Sequence, residues 1–441
     1  MIKMKLMMAA VVAVCQLTGI AAESATYTPT AENVDARKAF AERRFGIFIH
    51  WGLYSLFGQG EWYLRDGNLI PEEYAKAVGA FYPSKFDARA WAKAFKRAGA
   101  KYVTITSRHH DGFSMFDSKA SDYTVMRTPF GRDPMKELAD ACRSEGLAFG
   151  FYYSLLDWAR EDFPWKKTIP HAISDGCRYD PSKQNYDRYE RFMKAQLSEL
   201  LTNYGPIQCI WFDGEWCIND KGFDWRYDDI YGHIHSIQPR CLVVNNHHHA
   251  TRAGEDVQTF EKDLPGENKN GLSKGQVVVR SQPLETCDTM GYMLGYSIKE
   301  SGKWKSRDEL LRLLVGAAAK GANLLLNIGP RPDGCLPEEA VERLEAMGEW
   351  LSRYGAAIYG TEAGPDRMDG RFATTRKGNE VYLFVFDGTA KTVVLKLDGK
   401  PRRISGFLDG KDAAFLCAPD GATVITLPNS AESIRVLRIE E

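Results

Sequence analysis

The sequence has no excess of one charge: 57 Lys and Arg residues are balanced by 58 Asp and Glu, for a net charge of -1 and a pI near 6.8. A basic stripe is also missing, which removes the case for nucleic acid or an anionic membrane as partner. The nine cysteines are scattered with no short paired spacing, so neither a zinc ribbon nor a dense disulfide frame is indicated. Several, Cys209 and Cys241 among them, fall in apolar runs and read as small buried hydrophobes. Repeats and low-complexity tracts are missing, and no membrane span is expected.

What is present begins with MIKMKLMMAAVVAVCQLTGIAAES, in which Lys3 and Lys5 precede an apolar run that ends at small residues Ala21 and Ala22. Residues 1–22 therefore read as a cleavable signal for secretion or periplasmic export. A lipoprotein signal ending at Cys15 fits less well, because Val14 before it is bulkier than such sites accept.

Between residues 45 and about 360, short apolar runs alternate with longer amphipathic ones. The runs FGIFIHWG, KYVTITSR, LAFGFYYS, IQCIWFDG, CLVVNN, QVVVRSQPLE and NLLLNIGP read as strands, and the segments between them as helices. Asp87 and Asp133 stand where helices should be capped, and Gly146 and Gly205 where they should stop. Nearly continuous apolar strands between helices imply a parallel sheet covered on both faces. Seven or eight such units favour a (β/α)8 barrel over residues 23–362, with an open doubly wound sheet as runner-up. From 363 to 441 short alternating strands separated by Gly, Asp, Asn and Pro predict a small all-β sandwich domain.

In a barrel the polar residues at the C-terminal ends of strands surround one pocket. Here they are His50, then Glu61 and Trp62 in the loop beyond, His109 and His110, Tyr152, Trp211 and Asp213, Asn245 to His249, Glu261 and Glu285. Imidazoles, amides and carboxylates suit sugar hydroxyls, and aromatic rings suit the C–H faces of a pyranose. Glycosidic cleavage usually takes two carboxylates. Asp213 is the first candidate, because strand alternation puts it on the same face as Trp211. Neighbouring histidines in an extended chain point to opposite sides, so HH and HHH do not make a ligand set, and neither metal nor cofactor is expected.

The motifs FGIFIHWGLYS with GEWY, SRHHDGF, GFYYSLLDW, WFDGEW and GANLLLNIGPRPDG together resemble the α-L-fucosidases of glycoside hydrolase family 29, from about residue 30 to the end. The resemblance implies a retaining exo-hydrolase of terminal α-L-fucosyl residues on glycans, built as a barrel followed by a β-sandwich. It implies Asp213 as nucleophile, with His50, Glu61, Trp62, His109, His110, Tyr152 and Trp211 around the sugar. The general acid/base falls to Glu261 in DVQTFEK, with Glu285 in PLETC as rival and Glu255 and Asp256 behind both. His247 stands where many relatives have an arginine, and Leu294 where many have an aromatic near the fucose methyl. Both changes leave a galactose-type sugar as an alternative substrate, and a catalytically silent sugar-binding protein is the alternative outside enzymes.

Overall fold

The computed structural model describes residues 27–173, 180–429 and 432–441. The export signal read at residues 1–22 lies outside them. The apolar runs become strands β1 Phe45–Ile49, β2 Tyr102–Arg108, β3 Ala148–Ser154, β4 Cys209–Asp213, β5 Leu242–Asn245, β6 Gln258–Glu261, β7 Leu284–Thr289 and β8 Ala322–Ile328. All pair in parallel in the order β5-β4-β3-β2-β1-β8-β7-β6. The two ends of that order meet at one isolated bridge, Val244 to Val257. The result is a nearly closed barrel with one lightly stitched seam, not an open doubly wound sheet.

The helices outside the barrel begin and end where the sequence signals stand. Asp87 accepts the N–H of Ala90 at the start of helix Ala88–Arg97, and Asp133 accepts that of Lys136 at the start of Pro134–Ser144. Gly146 and Gly205, at φ 70° and 79°, let the chain leave its helix in a conformation that costs glycine little.

The strand reading needs one correction at β6 and β7. QTFE, with a single apolar residue, forms β6, whereas the valines of QVVVR lie in a loop and β7 starts only at Leu284. The Gln258 side chain explains the difference: it donates to Val277 O and accepts from Val279 N, so the valine segment bonds to a side chain instead of a strand ladder. Val277 is 71% exposed.

Alternation along the strands directs Phe48, Tyr102, Tyr152, Cys209, Trp211, Leu242, Val244, Val257, Cys287 and Leu325 into one packed interior cluster. Phe40 of helix Ala31–Ala41 packs beside Tyr102 at the N-terminal end of the strands, ring centroids 5.3 Å apart. Tyr102 fits only because residue 46 has no side chain, since a Cβ there would stand 2.4 Å from its ring. Filling of the lower barrel leaves the upper end to the polar residues.

After helix Glu338–Tyr354 the pairing turns antiparallel. Strands β9 Glu362–Met368, β10 Phe372–Lys377, β11 Glu380–Val385, β13 Arg403–Gly406 and β16 Arg435–Glu440 form one sheet, and β12 Thr392–Lys396, β14 Phe415–Cys417 and β15 Ala422–Thr426 a second. Leu383 and Ile439 from the first meet Leu395 and Ile425 from the second in a common core. Five of the described cysteines, Cys142, Cys209, Cys217, Cys241 and Cys287, are buried thiols.

Candidate active site

The inward set of each strand continues past its last apolar residue, and so β1, β4, β5 and β6 deliver His50, Asp213, Asn246 and Glu261 to the same end of the barrel. Asp213 ends β4. Gly214 follows at φ 93°, where a Cβ would meet Leu156 at 2.8 Å, so the chain turns sharply away and the carboxylate stays at the opening.

Asp213 Oδ2 accepts the Tyr152 hydroxyl at 3.0 Å. Its Oδ1 accepts from Trp216 Nε1 at 3.3 Å and from Asn246 Nδ2 at 3.4 Å. The same Asn246 nitrogen donates to Glu261 Oε2 at 2.8 Å. One amide thus ties two carboxylates, whose bonded oxygens are no further apart than those two bonds laid end to end. A separation of about 5–5.5 Å, the interval of retaining glycosidases, falls within that limit. Burial, reinforced by the charge of Glu261, pushes the Asp213 carboxyl up to about 7, against the pull of Tyr152, the Gly214 N–H and Trp216.

Glu285 lies elsewhere. Glu261 is level with Cys287 on β7, so Glu285, two residues earlier, sits about 6.6 Å deeper in the barrel. There it accepts the Tyr102 hydroxyl at 2.7 Å and Trp211 Nε1 at 3.0 Å, and burial pushes it up to about 7. Side-chain exposure separates the three acids: 15% for Asp213 and 20% for Glu261, with Glu285 only 1% exposed. Glu255 and Asp256 are buried and committed to His247 and to Arg37, respectively.

Three imidazoles crowd beside Asp213. His50 Nδ1 meets Asn327 Oδ1 at 2.7 Å; because Asn327 Nδ2 is bound to Leu294 O, that oxygen accepts and His50 Nδ1 carries the proton. His110 Nδ1 likewise donates to Ser154 Oγ, whose own proton goes to Leu156 O. Burial drives His50 and His110 down to about 3, and His109 well below its usual range. Among the described residues the His110 Nε2 and His109 Nδ1 atoms have no hydrogen-bond partner. Neutral rings with free nitrogens suit hydroxyls and put no positive charge beside an electron-poor anomeric carbon.

Aromatic rings complete the walls. Tyr152 stacks between His109 and Trp211, and Trp62 stacks on Trp216 at 5.3 Å and 16°. Glu61 is buried, accepts the Gly295 N–H at 2.6 Å and is raised by that burial, so it braces the loop that carries Leu294. The half-buried Leu294 contributes its carbonyl to Asn327.

The expectation for His247 needs correction. Its Nε2 lies 3.0 Å from Glu255 and its Nδ1 accepts the His249 N–H, so neither nitrogen is left for a sugar. It is His248, at φ 61°, whose Nε2 comes within 3.7 Å of Glu261 Oε2. Asn246 and His248 were legible in the sequence only as members of the strand-end run 245–249, and the bonds of Trp216 and Asn327 were not legible there. Asn246 had a usable signal: it shares the inward parity of Leu242 and Val244. Among the described residues no group of three His, Cys, Asp or Glu side chains could hold a metal ion, and no helix is long and apolar enough to cross a membrane.

Comparison with known proteins gives a consistent result. The sequence model of the family described as Alpha-L-fucosidase matches residues 14–356. The chain is 29% identical over 401 residues to an α-L-fucosidase of Dictyostelium discoideum, covering 83% of this chain and 82% of that one. It is 30% identical to the plasma α-L-fucosidase of Rattus norvegicus, covering 78% and 75%. Among solved structures, α-L-fucosidase isoenzyme 1 of Paenibacillus thiaminolyticus superimposes with a TM-score of 0.82 at 32% identity, over 93% of this chain and 99% of that one. The α-L-fucosidase of Bacteroides thetaiotaomicron, with a covalent intermediate trapped from 2-fluoro-fucosyl fluoride in a Glu→Gln mutant, superimposes at 0.80 with 26% identity, over 94% and 97%.

Proposed function

The chain belongs to the α-L-fucosidase family of glycoside hydrolases, and from that membership we propose that it removes terminal α-L-fucosyl residues from glycans by double displacement. Asp213 is the nucleophile and Glu261 the general acid/base. The observation that carries this reading is the Asn246 amide shared by Asp213 and Glu261. The covalent intermediate trapped in the Bacteroides thetaiotaomicron relative supports it.

In the first step an Asp213 oxygen bonds to the anomeric carbon as the glycosidic C–O bond breaks, and Glu261 gives its proton to the departing oxygen. The products are a fucosyl ester of Asp213 and a free alcohol. In the second step the Glu261 carboxylate takes a proton from water, the water oxygen bonds to the anomeric carbon, and the ester bond breaks. Fucose leaves with its configuration retained, and both carboxyl groups return to their starting states. Burial and the charge of Glu261 raise the Asp213 carboxyl to about 7, so the pocket opposes full charge on the nucleophile until substrate is seated. The neutral His50, His109 and His110 bind hydroxyls without opposing the positive charge of an oxocarbenium-like transition state. Glu285 acts through Trp211, fixing the indole that floors the sugar pocket.

Proton NMR of nitrophenyl α-L-fucoside hydrolysis tests the stereochemistry. α-L-Fucose as the first anomer formed supports double displacement, and β-L-fucose overturns it. For residues 1–22 we also propose cleavage on export: a mature chain starting at Glu23 supports this, and one starting at Met1 overturns it.

A further inference from the structure

A cavity of about 520 Å³ opens at the other end of the barrel, among Ala148, Gln208 and Leu242 where β3, β4 and β5 begin. Helix Ala31–Ala41 and the residues after it form a second wall with Ala36, Ala39 and Arg43. Asp213 and Glu261 stand at the C-terminal ends of β4 and β6, at the opposite end of the barrel, so this space is no part of the active site. Its volume lies within the range of small-molecule pockets, and much of its lining is apolar, with Leu147, Phe149 and Ile237 contributing.

The polar groups in that lining are unbalanced. Arg43 donates to Gln208 Oε1, and Arg240 reaches only the Glu32 carbonyl at 3.5 Å; neither has an ion-pair partner among the described residues. Burial lowers the Arg43 pKa, and the like charge of Arg240 acts in the same direction. Arg143 adds a third guanidinium to the lining, paired with Asp140. The bond from Arg43 fixes which end of the Gln208 amide is oxygen. Its nitrogen, on a residue nine-tenths buried, then meets no oxygen acceptor among the described residues. A buried donor without an acceptor is costly, and the half-buried Arg43 and the exposed Arg240 bring two positive charges to the mouth of the same cavity.

We propose that this cavity is a second binding site, separate from the catalytic one, for a small organic carboxylate with an apolar body. The carboxylate supplies the anionic partner that Arg43 and Arg240 lack among the described residues and an acceptor for the Gln208 nitrogen, with the guanidinium fork suited to two parallel bonds. The body covers the apolar lining.

Calorimetric titration of the full chain with octanoate tests the proposal, beside 1-octanol, which keeps the body and lacks the charge, and acetate, which keeps the charge and lacks the body. Octanoate should bind saturably at one site per chain, with the other two at least tenfold weaker and saturating L-fucose without effect. Arg43→Met should weaken octanoate at least tenfold and Arg43→Lys less. Arg240→Met, at an exposed position that leaves folding undisturbed, should weaken it several-fold, with aryl fucoside hydrolysis within twofold of the unaltered protein. No saturable heat from octanoate, equal binding of octanol, competition by fucose, or full binding in the Arg240→Met protein would each overturn the proposal.

Discussion

His110 Nε2 lies 3.6 Å from Asp213 Oδ2 and gives it no proton, because the ring's only N–H is spent on Ser154. The carboxylate is therefore supported by Tyr152, Trp216, Asn246 and the Gly214 N–H, while burial and Glu261 oppose its charge. The acidic limb of kcat/KM for an aryl fucoside should then fall near pH 7, where Asp213 loses its charge. In Glu261→Gln the opposing charge is gone, so that limb should move to lower pH. A pH profile in which the limb stays in place or rises would contradict the coupling of the two acids.

Removing the nucleophile should be severe for every substrate. Asp213→Gly should reduce kcat on the order of 10³-fold or more, as for other covalent catalysts. Added azide should restore part of the turnover by occupying the vacated space. Hydrolysis of nitrophenyl α-L-fucoside at the unaltered rate would remove Asp213 from the mechanism.

The two glutamates should differ by substrate. An activated leaving group needs little proton donation, so Glu261→Ala should lose far more on a fucosyl disaccharide than on the aryl fucoside. Glu285→Ala touches no leaving group and should affect both substrates alike, through the loosened Trp211 indole. The reverse pattern, measured as the ratio of the two kcat/KM values, would exchange their roles.

Asn246→Ala leaves Asp213 and Glu261 without their common donor. A loss of about 10- to 100-fold in kcat/KM is expected, corresponding to ~1–3 kcal/mol for an unsatisfied buried acceptor. Asn246→Asp adds a third negative group at the same point and should lose more. Equal activity of both variants with the unaltered enzyme would make the bridge incidental.

Stability should report on Glu285 independently of catalysis. A carboxyl raised from 4.5 to about 7 on folding keeps its proton in the folded state, so its favourable contribution is present below pH 4.5 and fades as pH rises towards 7. Glu285→Gln lacks that titration. The melting temperature of the variant relative to the parent should accordingly climb between pH 5 and 8, by up to ~3 kcal/mol in free energy. A difference independent of pH would mean that Glu285 does not titrate there.

The layout of the candidate site was legible in part from the strand period and in part from motif resemblance. Period-two alternation placed Trp211 and Asp213 on one face, and the resemblance carried by RHHDG and FIHWG named His109, His110 and His50. Side-chain substitution for backbone pairing was not legible. Gln258 took the place of a ladder for the QVVVR valines, so a β-rich segment became a loop and a polar one a strand. Choosing between Glu261 and Glu285 required the register of β6 on β7, which is a tertiary quantity. The exchange of His247 for His248 came from the positive φ of His248 itself, 61°, which accompanies the approach of its own ring to Glu261.

The lightly stitched seam gives Asn246 a mechanical role. Asp213 and Asn246 stand on the β4–β5 side of the gap and Glu261 on the other, so the spacing of the two acids is also the width of the barrel's weakest joint. Movement of β5 against β6 would change the distance between Asp213 and Glu261. A sugar seated across both sides would act as a clasp on that joint. Occupancy of the pocket should therefore slow backbone amide exchange most at residues 242–261, far more than in the sandwich sheets at the end of the chain.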